Sequence, residues 1–278
     1  MKQQIVSRYD SAVVLFECEV PDEMPSCMAV RHALEHAVRA GADLTSADLS
    51  GANLSGAYLT SAKLSGAYLA RANLARADLS GADLSGANLS GAYLTSAYLA
   101  RAYLSGANLS GAYLAGADLA RAYLAGADLS GANLTSAKLS GAYLARAYLS
   151  GANLTSADLT SANLARADLS GADLTSADLA RADLAGANLV RAKLSPSITI
   201  SRRPLQLYGL EWDVTIWDAH MQIGCQFHSL HEWQSFDDAK IAAMDGRNAL
   251  RFWRAHKELL LGMARADGRS FDEQDAAE

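Results

Sequence analysis

From residue 42 to 195 the chain repeats Ala-x-Leu-x-x without a break, with leucine at every fifth position from Leu44 to Leu194, which makes 31 repeats. A period of five suits neither regular element. Five residues of α-helix rotate by about 500°, a net ~140°, so the leucines would wind around every side and leave no apolar stripe to bury. In a flat strand the side chains alternate, and an odd spacing sends successive leucines to opposite faces. Alanine and leucine favour helix on propensity alone, but the period overrides that preference. Each unit must contain a corner.

A short extended side followed by a corner lets the leucine and the alanine two before it point inward, while the other three positions face out. Four such corners close a square, so the array is predicted to be mainly β, a quadrilateral β-helix. One coil is then four repeats, and coils stacked about 4.8 Å apart give a rod roughly 37 Å long. The corners carry Ser-Gly, Ala-Gly, Thr-Ser or Ala-Arg, with Val190-Arg191 as the one variant. Glycine at the second central position suits a type II turn, which needs positive φ there. Where Thr-Ser or Ala-Arg stands, a different turn without positive φ is expected. Thr is always followed by Ser, and corner Ser by Gly, through Leu194. That pattern points to copying of whole units, and close relatives are expected to differ in repeat number.

The array resembles the pentapeptide repeat family, whose right-handed quadrilateral β-helix carries Leu or Phe at the inward position and a small residue two before it. The resemblance spans residues 42–195. This chain departs from the family in having no phenylalanine at any central position, so its interior is a uniform leucine column with alanines between. Uniform packing specifies register weakly.

The flanks read differently. Residues 1–41 hold an apolar stretch from Ser11 to Val20 that predicts a strand. A helix follows from about Pro25 to Arg39, with Ala29, Leu34 and Val38 on one side and Gly41 ending it. These residues are expected to cap the first coil, because an open solenoid end exposes unpaired backbone. Ser195-Pro196 marks the exit. Residues 196–278 then predict a small α+β capping domain. Its short strands draw on Leu205, Leu207, Trp212, Val214, Ile216 and Ile223. Its helices run over 236–244, with Ser235 as N-cap, and over 248–266, and a polar tail starts at Asp267. This flanking layout is similar to that of phage or prophage-encoded pentapeptide repeat proteins of unassigned role.

The residue before each leucine is only Asp, Asn, Tyr or Lys, and positions 20 apart should stack. Tyr103, Tyr123 and Tyr143 then form one column, Tyr93 and Tyr113 another, and Tyr98 and Tyr148 lie in the same middle section. Tyrosine is enriched at interfaces, which makes these seven the candidate partner-binding residues, whereas stacked tyrosines also simply stabilise neighbouring strands.

Charge narrows the choice. The formal net charge is −6, and the array contributes none of it, holding eleven basic and eleven acidic residues. No strong field favours direct binding of nucleic acid, and none imitates it. The resemblance brings in the quinolone-resistance members, which act on DNA gyrase as mimics of duplex DNA. The neutral array and the lack of projecting loops depart from those members, while Asp158, Asp168, Asp173, Asp178 and Asp183 form a local acidic zone.

For chemistry, His220, Cys225, His228 and His231 fall within twelve positions and are the candidate metal ligands, although their spacing fits no standard finger. The other reading is a buried cysteine among polar histidines. No phosphate loop or nucleophile elbow occurs, and the many Ser-Gly pairs are turn residues. His228 with Asp237 or Asp238 is the only acid–base pairing to consider. The three cysteines are odd in number and widely spaced, which fits a reducing compartment. With no apolar run of spanning length, a cytoplasmic protein without membrane contact is expected. The sequence thus predicts a non-catalytic scaffold without cofactor that binds a protein partner and self-associates through its C-terminal domain. The rival is an inhibitor or protector of DNA gyrase.

Overall fold

The computed structural model describes residues 1–207 and 209–272. The chain divides into two compact units, Met1–Asn188 and Leu189–Glu278.

In the first unit the chain returns beside itself every 20 residues. Asp43 bridges Lys63, Asp48 bridges Tyr68, Asn53 bridges Asn73 and Tyr58 bridges Asp78, all in parallel, and the same spacing continues to Asp168 and Asn188. Four repeats therefore make one coil. Every leucine from Leu44 to Leu174 is buried, as is nearly every alanine two before it. Burying one leucine contributes on the order of 1.5–3 kcal/mol, and adjacent coils share the column.

The hydrogen bonds of one repeat show why the period is five. From Asp83 to Ala87 the Leu84 N–H donates to Tyr103 O at 2.7 Å, the Asp83 N–H to Ala62 O at 2.9 Å, and the Gly86 N–H to Ser105 O at 3.0 Å. The Ala87 N–H closes the corner on Leu84 O at 3.0 Å. The fifth donor, the Ser85 N–H, is taken by the side chain of Asp83 at 3.0 Å. All five N–H groups thus have partners, as a stacked backbone requires.

The corners correct one expectation. Thr-Ser and Ala-Arg corners have the same positive φ at the second residue as the glycine corners: Ser46 is at 60°, Arg76 at 58° and Ser136 at 55°, against 64° at Gly81. Positive φ at the second central residue alone is the type II arrangement. The stack imposes it. Arg76 N–H donates to Thr95 O at 3.1 Å and Ala77 N–H to Leu74 O at 3.0 Å, the same two bonds a glycine corner makes. Left-handed backbone costs a Cβ-bearing residue about 1–2 kcal/mol. Another turn would break both bonds, at about 1 kcal/mol each, and would push the coil out of register as well.

At the start of the first unit, β1 (Lys2–Val6) and β2 (Val14–Glu19) form an antiparallel pair, followed by α1 (Ser26–Arg39). The sequence reading missed β1. It also does more than pair with β2: Val6 O accepts the Asp48 N–H at 2.9 Å, Arg8 N–H donates to Ser46 O at 2.8 Å, and Ser7 bridges Ala47 in antiparallel fashion. Helix α1 buries Ala29, Ala33, Leu34 and Ala37, so the alanines rather than Val38 complete its inner face. Its polar residues serve the coil edge. Arg31 donates to Ser55 O at 2.6 Å and Gly56 O at 2.9 Å, and Glu35 accepts the Tyr58 N–H at 3.1 Å. A 2.9 Å ion pair between Arg31 and Glu35 holds both in place.

The second compact unit begins at Leu189, inside the repeats. It reverses direction at Ser195-Pro196-Ser197, where Lys193 bridges Thr199 in antiparallel fashion and Ile200 N–H donates to Ala192 O at 2.8 Å. A four-stranded antiparallel sheet follows in the order β3 (Leu205–Leu207), β4 (Val214–Ile216), β5 (His220–Ile223) and β6 (Gln226–Ser229). Then come α2 (Leu230–Ser235) and α3 (Asp238–Ala266).

The helix starts differ from those predicted. Ser229 caps α2 in a capping box with Glu232, while Ser235, the expected N-cap, is the last residue of α2. Asp237 caps α3, which is broken at Asp245 and Gly246, between the two helices read from the sequence. The expected polar tail is in part core. Arg269 is buried, pairing with Asp218 at 3.1 Å and Asp267 at 2.7 Å, and Phe271 packs on the hydrophobic cluster. The rest of that tail, residues 273–278, lies outside the described residues.

Candidate functional site

The residue before each leucine does two different jobs. At 18 of these positions an Asp or Asn accepts the N–H two residues on, as Thr45 donates to Asp43 at 3.0 Å and Thr155 to Asn153 at 3.0 Å. This side-chain turn is what makes Asp and Asn frequent there. The same contacts lower two carboxyl pKa values. At Asp43 the Thr45 hydroxyl and N–H hold the acid down. At Asp78 burial pushes upward, but hydrogen bonds from Ser80 and Thr60 outweigh it and the net direction is down. Tyrosine and lysine supply no such acceptor.

The tyrosines therefore stand where the corner gives up a bond. Rings of Tyr103 and Tyr123 stack at 4.9 Å and 4°, Tyr123 and Tyr143 at 5.0 Å and 3°, and Tyr93 and Tyr113 at 5.0 Å and 4°. Each presents about half of its surface, 38% at Tyr123 and 49% at Tyr103. Tyr98 and Tyr148 have no tyrosine directly above or below them, since Tyr98 lies between Asp78 and Asp118 and Tyr148 between Asp128 and Asp168. Exposed Arg101, Arg121 and Arg146 occupy corners in the same stretch. The Arg121 stem lies across the next coil, with Cγ 3.5 Å from where a Cβ on Gly141 would be. Between residues 93 and 148 four basic residues face two acidic ones.

The predicted metal ligands are not brought together. β5 and β6 pair His220 with Ser229 and Met221 with His228, so strand alternation sends His220 and His228 to opposite faces. His220 is buried and stacked on Phe227 at 5.1 Å. His228 sits edge-on to Trp233 and Phe236. Cys225 is exposed rather than buried, and His231 is exposed on α2. Among the described residues no cluster of three or more His, Cys, Asp or Glu is placed to hold a metal. The acid–base pairing also dissolves: Asp237 caps α3 and Asp238 pairs with Arg254, while the carboxylate near His228 is Glu232, at 3.7 Å. Burial pushes the His228 pKa down against the pull of Glu232.

One feature escaped the sequence reading. The second unit holds a half-open pocket of about 320 Å³ lined by Trp212, Trp233, Phe252 and Trp253 among others. A compositional signal was present, since all four tryptophans fall between residues 212 and 253.

Residues 40–74, 72–111, 102–141, 137–175 and 162–195 match the family described as Pentapeptide repeats, in 8 copies. The chain belongs to the pentapeptide repeat family. Membership implies the family's right-handed β-helix for the array. Among solved structures, this pentapeptide repeat chain is similar to HetL, a protein involved in heterocyst differentiation regulation from the cyanobacterium Nostoc sp. strain PCC 7120. The identity is 37% over 56% of this chain and 79% of HetL, with a TM-score of 0.49. It is also similar to Rfr23 from the cyanobacterium Cyanothece 51142, at 39% identity over 35% of this chain and 60% of that one, TM-score 0.27. QnrB1, a plasmid-mediated fluoroquinolone resistance protein, matches at 20% identity over 50% of this chain and 82% of QnrB1, TM-score 0.35. No protein of curated function matches the pentapeptide repeat chain. Among the described residues, no helix is long and apolar enough to cross a membrane.

Proposed function

We propose that the array is a non-catalytic, four-sided scaffold whose tyrosine belt, Tyr93, Tyr98, Tyr103, Tyr113, Tyr123, Tyr143 and Tyr148, docks a protein partner. The observation that carries this reading is a substitution pattern. Seven of the array's nine tyrosines fall in one stretch, each in place of an Asp or Asn that would have accepted a corner N–H. Tyr98 and Tyr148 lie outside the three ring stacks, so stacking does not offset the bond they give up. Arginine and tyrosine are also the side chains that dominate protein interfaces, and Arg101, Arg121 and Arg146 supply the former. Capture of partners by the immobilised protein tests the reading. Binding should fall at least tenfold when Tyr103, Tyr123 and Tyr143 become Ser, and should be unchanged when Asn53, Asn73 and Asn133 become Ser. Equal capture by both variants refutes it.

A second reading, a DNA-mimicking inhibitor or protector of DNA gyrase, is favoured by one local feature. Asp158 bridges Asp178 and Asn153 bridges Asp173, with Asp168 and Asp183 in the two remaining columns, so carboxylates occupy all four sides of this stretch. Supercoiling by gyrase unaffected at micromolar protein would remove it.

A further inference from the structure

The array is neutral by count, but its charges are sorted by side. The column with the longest tyrosine stack runs Asp83, Tyr103, Tyr123, Tyr143, Asn163 and Asp183. Between the two aspartates neither the column nor the corners flanking it carry a carboxylate. Four arginines stand there instead. Arg101 and Arg121 occupy the preceding corner in the coils of Tyr103 and Tyr123, and Arg146 and Arg166 the following corner in the coils of Tyr143 and Asn163. All four are exposed, and among the described residues none of them is ion-paired. They cross the column diagonally over four coils, a rise of about 14 Å at ~4.8 Å per coil. The carboxylates of this stretch lie around the corners, Asp118 and Asp158 on one neighbouring side, Asp128 and Asp168 on the other.

Stacking decides what the tyrosines offer. An aromatic ring is negative on its faces and positive along its edge. Tyr123 is covered on both faces, by Tyr103 at 4.9 Å and by Tyr143 at 5.0 Å, and it is still 38% exposed, so it presents its edge. Among the described residues the hydroxyls of Tyr103, Tyr123 and Tyr143 have no hydrogen-bond partner. Positive edges, free O–H donors and flanking guanidinium groups all favour an anion. Single-stranded nucleic acid binds by laying bases on open aromatic faces, which this column withholds. Carboxylates need only the donors, and a guanidinium takes them in bidentate fashion.

We propose that the side of Tyr103, Tyr123 and Tyr143 recognises an acidic, extended segment of the protein partner, whose Asp or Glu side chains pair with Arg101, Arg121, Arg146 and Arg166. The proposal rests on the docking role of the tyrosine belt and names the chemistry of what docks there. A fluorescein-labelled peptide of alternating Glu and Gly, about ten residues long, tests it on the full chain by fluorescence anisotropy. The peptide should bind saturably at low salt, with a dissociation constant on the order of 10–100 µM, and should weaken steeply as salt is raised. The same peptide with Gln for Glu should show no binding below millimolar. Arg101→Gln, Arg121→Gln, Arg146→Gln and Arg166→Gln together should weaken the Glu peptide at least about tenfold, since each exposed pair contributes a few-fold. Arg71→Gln, Arg76→Gln, Arg191→Gln and Lys193→Gln together remove the same charge from other parts of the array and should change it by less than about twofold. Tyr103→Phe, Tyr123→Phe and Tyr143→Phe together keep the rings and lose the hydroxyls, and should weaken it at least about threefold. No saturable binding of the Glu peptide up to millimolar concentration overturns the proposal. So does equal weakening by the two charge variants, or a ten-nucleotide thymidine strand that binds more tightly than the peptide. In the partner-capture assay, full capture by the variant lacking the four arginines, with loss by the one carrying three serines, sinks this proposal and leaves the docking role standing.

Discussion

A pair of opposed corner substitutions tests the claim that stacking forces left-handed backbone on residues that resist it. Ser136 holds φ 55°, and Gly131, at the preceding corner, holds φ 64° with open space where a Cβ would be. Ser136→Gly relieves about 1–2 kcal/mol of left-handed strain and gives back about 0.4–1 kcal/mol through the greater freedom of glycine in the unfolded chain. The net expectation is a gain of about 0.5–1 kcal/mol. Gly131→Ala carries the same terms with the opposite sign and should cost about 0.5–1 kcal/mol. The two variants should thus differ by about 1–2 kcal/mol, with neither side chain touching the leucine core. Equilibrium unfolding in guanidinium, followed by far-ultraviolet circular dichroism, measures this as opposite displacements of the midpoint at constant slope. Displacement of both midpoints in the same direction, or a stabilised Gly131→Ala, would refute the reasoning. It would mean that side-chain packing, not φ, ranks the corners.

Other outcomes follow from the same geometry. Leu114→Ala, in the middle of the column and fully buried, should cost about 2–5 kcal/mol because neighbouring coils cannot collapse into the gap; the midpoint in guanidinium measures it. Glu35→Ala removes the acceptor of the Tyr58 N–H, and that amide should lose protection in hydrogen exchange while amides of central coils keep theirs. Tyr123→Ser removes two ring stacks and should cost about 0.5–1.5 kcal/mol per stack, which calorimetric melting would detect. Acid should weaken the second unit in two stages. Burial lowers the His228 pKa below the ordinary 6.5, and the Ser229 N–H lowers that of Glu232 below 4.5. A depressed folded value means the contribution is complete above the ordinary value and is lost as pH falls through the folded one. Melting followed by tryptophan fluorescence should decline below about pH 6.5 and again below about pH 4.5, and His228→Gln should abolish the first decline only.

The sequence by itself determined the array. A leucine every fifth residue is incompatible with helix or flat strand, so the coil, its buried column and the stacking of Tyr103, Tyr123 and Tyr143 could all be read from spacing. Local periodicity carries that information because each repeat meets only its neighbours in adjacent coils. The corners show the limit of such reading. Serine and arginine alone argue against positive φ, and only the hydrogen bonds from coil to coil, supplied by residues about 20 positions away, overrule them. The flanks depended still more on tertiary structure. That β1 would serve the first coil through Val6 O and that His220 and His228 would face opposite ways were both decided by pairing register. Register is set between segments distant in sequence, where no local pattern records it.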